Sequence, residues 1–316
     1  MSSSIASLRA SALMLLASLI WGTAFVAQTA SIGTVGPFYY TSLRFLLGAA
    51  VVLAVMALRR RPDPAAHPVS TSRSLLRDGG LLGVLVAVAI SLQQIGLEST
   101  TVANAGFISS LYVVLVPLLG LLRGRRVGVG VWLGALLAML GMYFLSVRSS
   151  YSVRHGDWLE LGGALFITGQ MLVLGRVAPR HDPLQLAVVQ FVVCGLLCLG
   201  AGVLMESISL DALWRGAWTI VYGGVLSVGV AYTLQVVAQR DAIPAHAAVI
   251  FSMEGVFAAL AAWLVLHQAL DARALFGCTL VFSGLVVSQL PLRALANGLA
   301  ASLRRPAPHP STSDLR

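Results

Sequence analysis

Ten apolar runs, each close to the length of a membrane crossing, follow one another along this chain, at 11–30, 37–57, 80–97, 102–122, 128–147, 157–177, 183–205, 217–239, 244–266 and 275–292. A helix rises about 1.5 Å per residue, so about 20 apolar residues cross a hydrocarbon core about 30 Å thick. No water is available there to pair with the backbone, and a helix satisfies its own N–H and C=O groups. The runs therefore predict an all-α membrane protein of ten transmembrane helices. Composition agrees: 58% of the 316 residues are hydrophobic and 10% are charged, where a soluble domain carries about 25% charged residues. The first run follows Arg9 and ends in Gln28-Thr29-Ala30. Gln28 stands where signal-peptide cleavage wants a small residue, so this run is read as a retained first span.

A formal charge of +9 would suit a nucleic-acid binder, but the charge is in the wrong places. All 21 basic residues are arginine, and they cluster between the apolar runs. With the N-terminus placed in the cytoplasm, sixteen arginines fall in cytoplasmic segments and four (Arg148, Arg154, Arg215 and Arg273) outside, leaving Arg44 within a span. That asymmetry follows the positive-inside rule and predicts a multi-pass protein of the cell (plasma or inner) membrane with both termini cytoplasmic. Cys194, Cys198 and Cys278 lie inside apolar runs and are read as small packing residues.

An internal repeat organises the ten spans. Residues 103–126 align without gaps on 245–268, with identities at Ala103/Ala245, Ala105/Ala247, Ile108/Ile250, Ser110/Ser252, Val114/Val256, Leu118/Leu260 and Leu122/Leu264. The same offset places Leu92-Gln93 on Leu234-Gln235. Elsewhere Ala17, Ile20 and Gly22 fall on Ala164, Ile167 and Gly169; Pro37 and Phe45 on Pro183 and Phe191; Gly134 and Gly141 on Gly277 and Gly284. Each half then holds five spans. An odd number turns the second half upside down, so the expected fold is two inverted five-helix repeats about an axis in the membrane plane. The expected division is a first repeat at 1–147, an external linker at 148–156, a second repeat at 157–292 and a cytoplasmic tail at 293–316.

The chain resembles the EamA-type members of the drug/metabolite transporter superfamily. The stretches that carry the resemblance are Leu19-Ile20-Trp21-Gly22-Thr23, Arg44-Phe45, Ser252-Met253-Glu254-Gly255-Val256-Phe257-Ala258-Ala259-Leu260, Trp263-Leu264-Val265-Leu266 and Leu275-Phe276-Gly277. Relatives carry proline where Gly255 stands, and glutamate where this chain has Arg125 or Arg126 and Gln268. The resemblance implies ten helices and export or exchange of small organic metabolites, amino acids or drugs, without choosing among them.

Ionisable groups inside a bilayer are costly, so each one within a span is a functional candidate. Glu254 lies ten residues into the ninth run and Arg44 seven into the second, which places them at similar depth. They are expected either to pair as a structural ion pair or to serve binding and coupling, with Glu254 loading a proton or a cationic substrate as a kink opens beside Gly255. The repeat equates Arg44 with Gln190, Gln93 with Gln235, Asn104 with His246 and Tyr112 with Glu254. Polar groups facing lipid would be unsatisfied, so these positions are expected to face one interior cavity. The candidate substrate-binding and coupling residues are thus Arg44, Gln93, Tyr112, Gln190, Gln235, His246 and Glu254. Trp21, Tyr39, Tyr40, Trp158, Trp214 and Trp218 read as interfacial belt residues.

Two other classes compete with a transporter. An intramembrane enzyme would display a reactive constellation, and the sequence holds no H-E-x-x-H, G-x-S-x-G or G-x-x-x-x-G-K-[ST] motif. A channel or scaffold subunit would need neither an inverted repeat nor buried ionisable groups. The expected partners are a small-molecule substrate, the lipid bilayer and a proton as candidate coupling ion, with no nucleic acid, cofactor or metal.

Overall fold

In the computed structural model, residues 2–58, 71–100, 102–122, 124, 127–146, 154–266 and 271–290 are described. Their helices are α1 (Ser2–Ser31), α2 (Pro37–Leu58), α3 (Ser72–Ser99), α4 (Val102–Ser109), α5 (Tyr112–Leu122), α6 (Val129–Ser146), α7 (His155–Val177), α8 (Pro183–Met205), α9 (Leu210–Tyr222), a π-helical segment (Gly223–Tyr232), α10 (Thr233–Gln239), α11 (Pro244–Phe251), α12 (Met253–Leu266) and α13 (Ala272–Gln289). Among the described residues, nine helical stretches have the length and apolarity of a membrane crossing, and Val129–Leu145 is a shorter tenth. The tail, most of the linker, Arg125, Arg126 and Gln268 lie outside the described residues.

Apolarity reports the hydrocarbon core rather than the helix, and the differences from the sequence follow from that. The third span starts at Ser72 rather than residue 80, because Thr71 caps it by accepting from the Ser74 N–H and its first turns are polar. The eighth begins at Leu210 under a Ser209 cap. The fourth and ninth spans are each divided into two short helices.

The inverted repeat is visible in the packing. The helices α6 and α13 lie against each other, as do α2 and α8, and α3 and α7. Exchanging the halves turns α3 on α7 into the eighth span on α1, which is also observed. Glycines make the relation sharper. A Cβ at Gly134 would lie 2.6 Å from the Gly284 carbonyl oxygen, and one at Gly141 would lie 2.6 Å from that of Gly277. Because Gly134 corresponds to Gly277 and Gly141 to Gly284, the two contacts are one contact seen twice across a two-fold axis. Close backbone approach at small residues is how membrane helices associate without a hydrophobic drive between them.

Polar contacts mark the two faces. Where α2 begins, the Glu206 carboxylate accepts from the N–H groups of Phe38 and Tyr39 at 2.8 and 2.9 Å, an anion on a helix N-terminus. Gly36 leaves room for it, since a Cβ there would lie 2.4 Å from the carboxyl carbon. On the opposite face, Asp78 of α3 meets His181 at 2.9 Å and Arg77 at 3.0 Å, tying α3 to the turn before α8.

Candidate functional site

Two serines build the centre of the site. Ser110 directly follows α4 and Ser252 directly follows α11, and the repeat equates them. Each hydroxyl turns back on the carbonyl three residues earlier: Ser110 Oγ donates to Phe107 O and Ser252 Oγ to Val249 O, both at 2.7 Å. After each break the backbone restarts in the same way, with Val113 N–H donating to Ser110 O and Gly255 N–H to Ser252 O. Serine back-bonding competes with the helical ladder and bends it. The expected kink beside Gly255 is therefore located at Ser252, and a matching one exists at Ser110.

Two residues beyond the serines stand Tyr112 and Glu254, themselves repeat mates. The Tyr112 hydroxyl donates to Glu254 Oε1 at 2.9 Å, joining the two broken spans where the halves meet. Both line a cavity that is partly open to the outside. Arg44, Gln93 and Gln235 line it as well, with Trp21, Tyr232 and Phe251 supplying aromatic walls. Trp21 is thus an interior residue rather than a belt residue. Its indole donates to the Ser227 carbonyl at 3.2 Å, within the π-helical segment. Its ring meets those of Tyr232 and Phe251 at centroid distances of 4.8 and 5.2 Å. Tyr40 is buried too, whereas Trp158, Trp214 and Trp218 are exposed on the helix surfaces.

The other candidates fall elsewhere. Gln190 is fully buried behind the cavity, its Oε1 3.5 Å from Gln170 Nε2. Gln170 in turn exchanges hydrogen bonds with Gln235, so three glutamines form one interhelical cluster. His246 is half-buried on α11 and does not line the cavity. The side chain of Asn104 lies outside the described residues.

No ion pair joins Arg44 to Glu254 among the described residues. Residue counting places both groups at one depth but not on one wall. Arg44 is 2% exposed, and its guanidinium carbon lies 5.1 Å from the Tyr40 ring centroid and 5.6 Å from that of Phe45. Its Nε and Nη2 have no hydrogen-bond partner. Aromatic faces attract such a cation but leave its N–H donors available. The cavity therefore carries an under-satisfied cation, a carboxylate with one oxygen engaged, and an aromatic wall.

Counting residues missed Gln170, Ser109 and Glu160. Ser109 Oγ accepts from Gln93 Nε2 at 3.1 Å and donates to Glu160 Oε2 at 2.7 Å. Glu160 stands six residues into α7 and is 0% exposed. The signal was a charge inside an apolar run, masked because Glu160 lies near the end of that run, three residues after Asp157. No group of three or more His, Cys, Asp or Glu residues capable of holding a metal occurs among the described residues.

Comparison with known proteins agrees with this architecture. A solved chain shares the fold with a TM-score of 0.74 at 21% identity, over 90% of this chain and 98% of that one. An uncharacterized transporter of Archaeoglobus fulgidus is 29% identical over 279 residues, covering 87% of this chain and 84% of its own length. The uncharacterized transporter YoaV of Bacillus subtilis is 22% identical, over 85% and 93% of the two chains. A chloroplastic WAT1-related protein of Arabidopsis thaliana is also 22% identical, over 86% and 67%. The EamA-like transporter family model matches twice, over residues 8–147 and 155–289. Two matches in one chain are what a duplicated five-helix unit produces, and the protein is a member of the EamA-like transporter family.

Proposed function

We propose that the protein is a secondary transporter, not an enzyme, that exports or exchanges a small organic solute by alternating access. The observation that carries this reading is the Tyr112–Glu254 hydrogen bond between two serine-broken spans at the floor of an open cavity. Discontinuous spans paired by an inverted repeat form binding sites that can be exposed to either side by rocking the halves. Arg44 suits a carboxylate or phosphate on the solute, Glu254 suits an amine, and the aromatic wall suits an apolar body. An amino acid or a cationic amphiphile meets two of those three demands. The test is a tolerance screen in a sensitive bacterium, with toxic amino-acid analogues and cationic drugs as probes. Expression is expected to raise tolerance to at least one compound, and Glu254→Gln to remove that gain. Tolerance that never depends on expression, or that survives Glu254→Gln unchanged, counts against the site.

The proposed orientation keeps both termini in the cytoplasm, following the arginine asymmetry. Ser207 is exposed between α8 and α9, and Asp241 is exposed between α10 and α11 at the other face. A cysteine at Ser207 is expected to react with an impermeant maleimide in intact cells, and one at Asp241 only after lysis. The reverse pattern would invert the topology.

A further inference from the structure

The cavity does not end at its lining. Gln93 lines it, and from Gln93 a hydrogen-bonded chain runs through Ser109 Oγ to Glu160. Glu160 is 0% exposed, and its second oxygen, Oε1, has no partner. The space for that oxygen comes from Gly96, where a Cβ would lie 3.1 Å from Glu160 Oε1. A carboxylate without a cation deep in a bundle is expensive, and carboxylates on such chains mark proton paths in membrane transporters.

We propose that Glu160 is the proton-carrying group of the transport cycle, distinct from Glu254, and that Gln93 and Ser109 link it to the cavity. This rests on the reading of the protein as a secondary transporter and names the coupling ion for it. The chemistry around Glu160 selects a proton over a metal cation. Asp157, the neighbouring acid on α7, has both oxygens engaged, one by the Thr100 hydroxyl and one by the Arg154 N–H at 2.9 Å. One unpartnered carboxylate oxygen packed on a glycine cannot supply the several oxygen ligands that a hard cation requires. Among the described residues, the elements packed on α7 bring no cation to Glu160. The α3 helix brings Gln93 and exposed Glu98, α4 brings Ser109, α5 brings Tyr112 and α10 brings Gln235. On α11, His246 follows Pro244, which packs on Gly175 at the far end of α7. Arg154 is exposed. In the proposed orientation Glu160 lies toward the external face, so a proton entering from outside would load it while solute occupies the cavity. Glu254, whose Oε1 is held by Tyr112 and which faces the cavity itself, is left to the solute.

Infrared difference spectroscopy on the reconstituted full chain tests this with no transported compound. A shift from alkaline to acid pH is expected to produce the carbonyl band of a protonated carboxylic acid. The band should be lost in Glu160→Gln, displaced in Glu160→Asp and kept in Glu254→Gln. If Glu160→Gln does not fold, displacement by the aspartate variant decides. A band lost in Glu254→Gln and unaffected at Glu160 overturns the proposal, and so does a band that sodium suppresses in place of protons. A failed tolerance screen leaves this measurement standing, while an unaffected band with a positive screen removes the proton site alone.

Discussion

Glu254→Gln is expected to lower the rate of transport about 10- to 100-fold while leaving the level of folded protein close to that of the parent. Hydrogen bonds to charged groups are worth about 1.5–3 kcal/mol, and about 1.4 kcal/mol corresponds to a factor of ten. Glutamine keeps the size of the side chain and can still accept from the Tyr112 hydroxyl 2.9 Å away, so the contact between the broken spans survives. What disappears is the negative charge offered to a solute amine. Tyr112→Phe performs the opposite operation: the charge remains and the bridge between the halves is lost. Its effect is expected to be smaller on solute affinity and larger on the balance between the two access states. If the carboxylate were a structural partner of Arg44, Glu254→Gln would instead deplete folded protein, and Arg44→Gln in the same chain would restore it. The packing of Arg44 on Tyr40 and Phe45 argues for the first outcome. Fluorescence-detected size-exclusion chromatography beside a transport assay separates them.

Gly141→Leu is expected to remove most of the folded protein. A Cβ at Gly141 would meet the Gly277 carbonyl at 2.6 Å and the Val281 N–H nitrogen at 2.7 Å. The obstacle is backbone, so no side chain can swing aside. Overpacking a well-filled site costs about 1–3 kcal/mol, and here the cost lies at the upper end because α6 and α13 must separate along their length. Gly284→Leu is expected to do the same, being the same contact across the axis. Gly106→Ala and Gly200→Ala, with no neighbouring atom within 4 Å of the added carbon, serve as controls and are expected to leave the elution profile unchanged. Near-normal thermal stability of Gly141→Leu would show that the α6–α13 contact does not hold the halves together.

Spans were legible because a membrane imposes a length and a polarity on every crossing, and the repeat was legible because its identities recur at one offset. The kink expected beside Gly255 was not placed at Ser252, and the matching break at Ser110 was not legible at all, although both serines stood in the alignment. A serine in an apolar run can hydrogen-bond to its own helix without opening it, as Ser18 does with Met14, and only the backbone tells the two cases apart. Two alternatives were open for Arg44 and Glu254, an ion pair or separate roles in binding and coupling, and no ion pair joins them among the described residues. Residue counting could not decide this, because it says nothing about which wall of a cavity a side chain occupies. Gln170 has no polar mate at its repeat position other than Thr23, so a search for symmetric polar pairs passes over it. Glu160 was hidden for a related reason: a carboxylate near the end of an apolar run looks solvated until the neighbouring helices are seen to cover it.

Alternating access about the Tyr112–Glu254 contact is the centre of this account, and a pair of distances tests it most directly. Thr34 and His155 lie at the face where α1 ends and α7 begins, and their repeat mates, Arg180 and Leu8, lie at the other face. Spin labels at Thr34 and His155 report on one mouth, and labels at Arg180 and Leu8 report on the other, in a chain whose three cysteines are replaced by alanine. Double electron–electron resonance is expected to give two populations for each pair, with the share of open distances at one face falling as it rises at the other. Tyr112→Phe is expected to shift both pairs, in opposite senses. A single unchanging distance at each face, in the parent and in Tyr112→Phe alike, would contradict the account.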